Sequence, residues 1–344
     1  MSTHAFLIMP SFNRVYAGAA AVLATAELAV FNDSVLDGRV SQIASTDIAG
    51  VPYVTFDCAD FTDRDAALIA NLSSVYALFA TEGEALRPVT LRRLDRYDDD
   101  LITILKYPGK TNEQFTKLLL NVTLLSSRFA AEMLTRRFAV LDPLCGRGTT
   151  LNQAIMYGFD AYGIDADRRD IEAYSVFIQR WLKDKRLKHQ AGYAQVRREH
   201  QVTAHRLQAT FAATKEEYRA GDVQHLDVVC ADTTRLLEFF RPESADLIVA
   251  DAPYGVQHAS QTAGRGYARS PLDLIAGAAP GWTKALRPGG ALGISWNTYV
   301  ARRDDAAQVL TDAGLQVMSD GPYLKFRHRV DQAIIRDIII ARKP

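Results

Sequence analysis

The chain has 344 residues, 48% of them hydrophobic, with 40 basic and 40 acidic side chains. That length allows one large or two modest domains, at about 100 to 200 residues each, with a sizeable core. The balanced charge argues against a polyanion platform spread over the whole molecule, and the three dispersed cysteines, Cys58, Cys145 and Cys230, argue against a disulfide framework or a zinc site. No metal site is expected.

The opening residues MSTHAFLIMPSFNRVYAG lack a basic flank leading into a long apolar stretch and are interrupted by Pro10, so no signal peptide is expected. No run of about 18 uncharged apolar residues follows, so neither is a membrane span. A reducing, cytoplasmic setting is the expectation. The sequon at Asn121 is then an accident of composition.

Ala5 to Met9 reads as a strand, and about Val15 to Val30 as an Ala-rich helix with apolar residues at helical spacing. VSQIAS and VPYVTFD read as strands joined by a turn over Asp47 to Gly50. TDRDAALIANL reads as a helix capped by Thr62, and SVYALFA as another strand. The order strand, helix, strand, strand, helix, strand predicts a small α+β, ferredoxin-like N-terminal domain over residues 1–100. These residues hold fourteen acids against seven bases, which suits a nucleic-acid platform poorly. RRLDRYDDD, Arg92 to Asp100, is the expected connection to a second domain over residues 101–344.

After a helical stretch from about Asn112 to Thr135, the runs AVLDPL, AYGIDA, DVVCAD, DLIVADAP and GALGISW alternate with helical or loop segments. This is the pattern of a Rossmann-like α/β fold, an open parallel sheet with helices on both faces. DGPYLKFRHRV and QAIIRDIIIARK predict two closing strands. Between AYGIDA and DVVCAD lie far more residues than a crossover needs, on the order of a dozen. A helical insertion over about 176–221 is expected there. Arg180 to Arg219 carries ten bases, four acids and three histidines, His189, His200 and His205. It is either a solvated face, a basic surface for a phosphate backbone, or a surface for oligomerisation.

The run DPLCGRGTTLNQA places an acid and a glycine turn between a strand and a helix. Gly146 and Gly148 allow a ligand close approach to backbone N–H groups. No Gly-Lys-Ser/Thr follows, so phosphoryl transfer lacks its cradle. Asp165 ends the next strand, where a carboxylate can accept from two ribose hydroxyls, and Asp232 ends a third, where it can accept from the adenine amino group. With Asp142 within reach of an ammonium, the three acids suit S-adenosylmethionine. In KYPGKTNEQ, Lys110 and Asn112 are candidate contacts for the methionine end of that ligand.

DAPYG, at the end of DLIVA, supplies the chemistry. Two acceptors, the Asp251 carboxylate and the Ala252 carbonyl, can bind amine hydrogens and offset charge growing on nitrogen. Pro253 stiffens the loop, and Tyr254 offers a ring on which an unpaired base can stack. In the following loop, Gly255 to Leu274, the residues His258, Arg265 and Tyr267 are candidate substrate contacts in an expected lid. His328, on a late strand, is a further residue that could reach the site.

In order and spacing, DPLCGRGTT, GIDAD, CADTT and DAPYG resemble the motifs of class I S-adenosylmethionine-dependent methyltransferases, over about Leu105 to Lys343. DAPYG is similar to the (Asp/Asn)-Pro-Pro-Tyr signature of the amino-methylating branch, with Ala252 in place of the first proline. The wording is most like that of the tRNA guanine N2-methyltransferases that carry a THUMP RNA-binding domain, although the N-terminal region is shorter and more acidic than such a module. The resemblance implies a class I methyltransferase sheet with cofactor contacts at Asp142, Leu144, Cys145, Gly146, Gly148, Thr149, Asp165, Ala166, Asp232, Thr233 and Asp251. It implies methyl transfer to an exocyclic amine in tRNA. The alternatives are DNA adenine or cytosine, or a small-molecule or peptide amine; a binder without catalysis would have no use for an acid, a proline and a tyrosine at Asp251, Pro253 and Tyr254.

Overall fold

In the computed structural model, which describes residues 2–10, 14–107, 109–199, 201–252 and 271–344, two sheets are built one after the other. The first comprises β1 (Ser2–Ile8), α1 (Arg14–Val35), β2 (Val40–Ile48), β3 (Val51–Cys58), α2 (Asp63–Ile69), β4 (Val75–Glu82) and β5 (Ala85–Val89). Its strands are all antiparallel, in the order β2-β3-β1-β4-β5. Ala49 and Gly50, at φ +51° and +79°, make the tight β2–β3 turn that such dihedrals favour. Thr62 and Asp65 form a reciprocal capping box at the start of α2. β5 is an edge strand beyond the expected set.

α1 is long and apolar enough to cross a membrane by length and composition. In the fold it is a core helix. Leu23, Leu28, Val30 and Phe31 are buried, and so is Glu27, whose carboxylate accepts from the Ser73 backbone N–H and hydroxyl and from Asn121 Nδ2 at 2.7 Å. Asn121 is fully buried, which keeps its sequon from any modifying enzyme in the folded chain.

The connection, with α3 (Asp100–Thr103) at its end, is more than a solvated tether. Arg96 pairs with Glu217, the Tyr97 hydroxyl donates to Gln224, and Lys185 bridges Asp98 at 2.7 Å and Asp100 at 2.5 Å. Trp181 Nε1 donates to Asp100 at 2.9 Å. α4 (Glu113–Leu125), capped by Asn112, then packs between α1 and the second sheet.

The second sheet is formed by β6 (Ala139–Asp142), α5 (Thr149–Met156), β7 (Asp160–Asp165), α6 (Arg168–Asp184), β8 (His189–Arg198), β9 (Gln201–Phe211), α7 (Lys215–Ala220), β10 (Gln224–Cys230), β11 (Ala245–Asp251), α8 (Pro271–Ala285), β12 (Leu286–Asn297), α9 (Arg303–Asp312), β13 (Gln316–Val317), β14 (His328–Arg329) and β15 (Ile335–Arg342). The strand order is β13-β15-β12-β11-β6-β7-β10-β9-β8, with β14 on β15. β12, β11, β6, β7 and β10 are parallel, and β15 runs against β12. This is a doubly wound, Rossmann-like sheet. Its winding reverses between β6 and β11, so the ligand crevice opens at the carboxyl ends of those two strands.

Successive residues along the central strands alternate between two cores, as the pleat requires. Val140, Val228, Leu247, Val249 and Ile338 face α4, α5 and the N-terminal sheet, in one continuous core with Phe6, Leu28 and Phe56. Leu141, Val229, Ile248, Ala250 and Ile339 face the α8 and α9 side. No break in the core marks the end of the first hundred residues.

The expected helical insertion is a β-hairpin instead. α6 ends at Asp184, after which β8 and β9 pair antiparallel and extend the sheet beyond β10. On β9, Leu207, Ala209 and Phe211 are buried at strand spacing, and Ala204 is buried on the opposite face. That alternation against the sheet prevails over the helix-forming Ala, Gln and Arg content of the segment. The surface it offers is an edge strand.

Candidate functional site

The site is assembled at the carboxyl edge of β6, β7, β11 and β12. The Gly-rich turn follows β6 and starts α5 with Gly148 as its N-cap, at φ +78°. A side chain at Gly148 would place its Cβ 2.4 Å from Tyr174 Cε2, so both sterics and dihedral require glycine there. The Gly146 N–H donates to Asp165 Oδ2 at 2.8 Å, and the Asp167 N–H to Asp165 Oδ1 at 2.8 Å. Asp165 thus ties the turn after β6 to the end of β7 while keeping acceptor capacity on both oxygens.

Asp142 is buried and accepts from the Leu144 N–H at 3.0 Å. Burial holds its pKa up at about 7, and the charges of Asp165 and Asp251 add to the effect. Asp165 is pushed up as well, chiefly by burial. Cys145 is a buried packing residue whose thiol is pushed far up by burial, which rules it out as a ready nucleophile. Leu144 packs in the core on the α8 side, and Ala166 is exposed beside Asp165.

Three of the expected cofactor contacts also have structural work. Asp232 caps the short 3-10 turn Thr233–Glu238, accepting from the Thr234 N–H at 2.8 Å. The Thr233 hydroxyl is buried and accepts from Trp282 Nε1 at 2.9 Å, which docks α8 on that turn. Thr149 contributes its hydroxyl to a 2.8 Å hydrogen bond with the Tyr107 hydroxyl.

Asp251 ends β11 on the other side of the switch point. The Ser295 hydroxyl donates to its Oδ1 and the Thr111 hydroxyl to its Oδ2, and an Arg336 guanidinium nitrogen lies 3.9 Å from Oδ2. Ala252 is buried, its N–H spent on the Ser295 carbonyl at 2.9 Å. The carboxylate is therefore fixed in direction before any ligand arrives.

The loop between α3 and α4 spans the crevice: Tyr107 holds Thr149 at one end and Thr111 holds Asp251 at the other. Arg147 stacks over the Tyr107 ring at 4.9 Å and pairs with Asp170 at 2.7 Å. Lys110 and Asn112 serve the loop itself: the Lys110 ammonium binds the Ile102 carbonyl at 2.6 Å and Glu113 at 2.5 Å, and Asn112 caps α4. His328 is buried against Phe115 and beside Arg336, its β15 register partner. Pro253, Tyr254, His258, Arg265 and Tyr267 lie outside the described residues, as does His200. Among the described residues no group of acids, histidines and cysteines is arranged to hold a metal ion.

Tyr107, Thr111, Ser295 and Arg336 carry no motif and escape a sequence reading. Ser295 gives a faint signal, as a hydroxyl inside the apolar run GISW at the depth of Asp251.

No protein-family model matches the chain, and no curated protein matches its sequence. Solved structures do align with it. The N-methyltransferase NodS from Bradyrhizobium japonicum WM9 is 16% identical, with 67% of this chain and 95% of that one covered at TM-score 0.38. A TehB-like SAM-dependent methyltransferase from Corynebacterium glutamicum is 15% identical over 61% and 83%, at TM-score 0.33. The 1,6-didemethyltoxoflavin-N1-methyltransferase of Burkholderia thailandensis, with 1,6-didemethyltoxoflavin and S-adenosylhomocysteine bound, is 15% identical over 61% and 72%, at TM-score 0.35. At TM-scores this low the alignments add nothing to the reading of the site, which rests on its own residues.

Proposed function

We propose that the chain is an S-adenosylmethionine-dependent N-methyltransferase acting on an exocyclic amino group of a nucleobase. The observation that carries this reading is the placement of Asp251, oriented by Thr111 and Ser295, across the switch point from Asp142 and Asp165. Asp142 and Asp165 are both held protonation-prone by burial and by neighbouring acids. Such a cluster favours a cationic ligand, because a positive charge lets each acid ionise. The ligand that fits has an ammonium at one end and adenosine at the other.

Asp142 and the glycine turn after β6 would hold the amino-acid end, Asp165 the ribose and Asp232 the adenine amino group. What the bound donor supplies is a methyl carbon on a positively charged sulfur. Asp251 accepts one hydrogen of the target amine and stabilises positive charge on its nitrogen, while the Ala252 carbonyl is the second acceptor in the loop. No strong base is called for: the proton can leave after transfer, and positioning carries most of the rate.

Within this reading we take guanine N2 in tRNA as the target, on the resemblance of DPLCGRGTT and DAPYG to the THUMP-associated tRNA guanine N2-methyltransferases. We read the N-terminal sheet as ferredoxin-like, since its first four strands run 2-3-1-4. The three free cysteines suit a reducing cytoplasm. The test incubates the protein with radiolabelled S-adenosylmethionine and separate tRNA, rRNA, DNA and small-molecule fractions, with Asp251→Ala as control. Label in tRNA that digests to N2-methylguanosine supports the reading. Label confined to a small molecule, or turnover undiminished in the control, overturns it.

A further inference from the structure

Beside Asp251, between α1, the loop before α4 and β14, lies a cavity of about 60 Å³ lined by Tyr16, Thr111, His328, Arg329 and Arg336 among others. It has room for about two water molecules, at roughly 30 Å³ each, so it can take the edge of a heterocycle but not the whole ring. Thr111 joins it to the site just described, because it lines the cavity and its hydroxyl binds Asp251.

His328 decides what that edge must be. Its Nδ1 lies 2.8 Å from the Phe326 carbonyl, which can only accept, so Nδ1 carries the hydrogen. The imidazole is neutral, since burial and the Arg336 charge hold its pKa down at about 4. Nε2 is then a bare lone pair, buried and without a partner among the described residues. A buried acceptor in that state favours any ligand that brings a donor. The guanidinium groups of Arg329 and Arg336 disfavour a cation in the same cavity, which leaves a neutral N–H.

We propose that this cavity receives the ring N–H next to the target amine, with His328 Nε2 as its acceptor, so that the site selects a lactam-type ring, as in guanine, over rings whose neighbouring nitrogen is a bare acceptor. This rests on the amine-methylation reading. In guanine one of the two ring nitrogens beside the amino carbon bears a hydrogen and meets Nε2 as a donor; adenine and cytosine have a single such nitrogen. It bears a lone pair, which would face the lone pair of Nε2. A site built around a hydrogen bond rejects analogues that lack the matching group far more strongly than an apolar pocket rejects a change of size.

The first test is side-chain ¹⁵N NMR of the full chain, alone and with guanosine or adenosine as probe. The expected result is the Nδ1–H tautomer of His328 and an Nε2 resonance that moves with guanosine and not with adenosine. An Nε2–H tautomer, no response to guanosine, or an equal response to adenosine overturns the proposal. The second test measures tRNA methylation by His328→Phe and His328→Gln, the latter returning an acceptor near the Nε2 position. KM for tRNA should rise roughly 10- to 100-fold in the Phe variant, with kcat and S-adenosylmethionine binding little changed, and fall back in the Gln variant. An unchanged KM in a folded Phe variant overturns it. If the wild-type chain methylates no nucleic acid, amine methylation of a base falls, while the NMR experiment still decides the acceptor pocket.

Discussion

Asp251 and Ser295 are register partners on the adjacent parallel strands β11 and β12, and the Ser295 hydroxyl donates to the Asp251 carboxylate. The pairing is fixed by backbone. The Ala252 N–H reaches the Ser295 carbonyl at 2.9 Å, so strand register and side-chain contact reinforce each other.

From this follows a graded series. Asp251→Asn turns one acceptor oxygen into a donor and should reduce methyl transfer by roughly 10²-fold or more, with S-adenosylmethionine binding retained. Ser295→Ala and Thr111→Val each remove one hydroxyl that orients the carboxylate, and each should cost about 1 to 3 kcal/mol, read mainly in kcat. Single-turnover rates alongside equilibrium dialysis of the labelled donor check the order. A Ser295→Ala enzyme as fast as wild type would remove the orienting role.

Asp142 makes donor binding depend on pH. Its folded pKa, held at about 7 against an ordinary 3.8, means that the ligand-free fold binds a proton more tightly than the unfolded chain. Its protonation therefore adds stability below about pH 4, and that contribution fades as pH rises to about 7. Binding of a cation opposes this, since it favours the carboxylate and must release a proton below pH 7. The affinity for S-adenosylmethionine should rise with pH up to about 7 and then level off. Calorimetry at pH 6 in buffers of different ionisation enthalpy should show proton release, which Asp142→Asn reduces.

Much of the crevice is legible in the sequence because acids at strand ends stand out against apolar runs: Asp142, Asp165 and Asp251 each close a buried stretch, and the parallel sheet turns those ends into one edge. What brings Thr111 and Arg336 to Asp251 is long-range. One comes from a loop before α4, the other from a strand that returns antiparallel to β12, and nothing local marks either. The β8–β9 hairpin is hidden for a related reason. Its residues favour a helix locally, and only the free edge of β10 makes strand pairing the better outcome.

Gly148 offers a test of the turn. With φ at +78° and Tyr174 Cε2 2.4 Å from any Cβ, Gly148→Ala should lower stability by about 1 to 3 kcal/mol and weaken donor binding at least as much as activity. Gly146→Ala has open space around its Cβ and faces only the cost of φ +47°. Thermal melts with and without S-adenosylmethionine should rank Gly148→Ala below Gly146→Ala, with a smaller ligand-induced shift. Equal melts for the two would mean that Tyr174 yields.

The basic segment after α6 can be divided by its ion pairs. Lys185 is committed to Asp98 and Asp100, and Arg206 to Asp227 at 2.6 Å, so neither is available for a phosphate. Lys183, Arg186 and Lys188 are exposed around the end of α6 and the approach to β8. If this surface carries a nucleic-acid backbone, replacing those three with Gln should weaken tRNA binding and flatten its dependence on log salt by about 0.7 to 0.9 for each phosphate no longer neutralised. Lys185→Gln should act differently: it frees Asp98 and Asp100 from their cation and should lower the melting temperature with little change in the salt slope. Filter binding over a salt series, paired with thermal melts, separates the two outcomes. A triple variant with unchanged slope would make this segment a solvated face, and substrate recruitment would then have to come from the site itself.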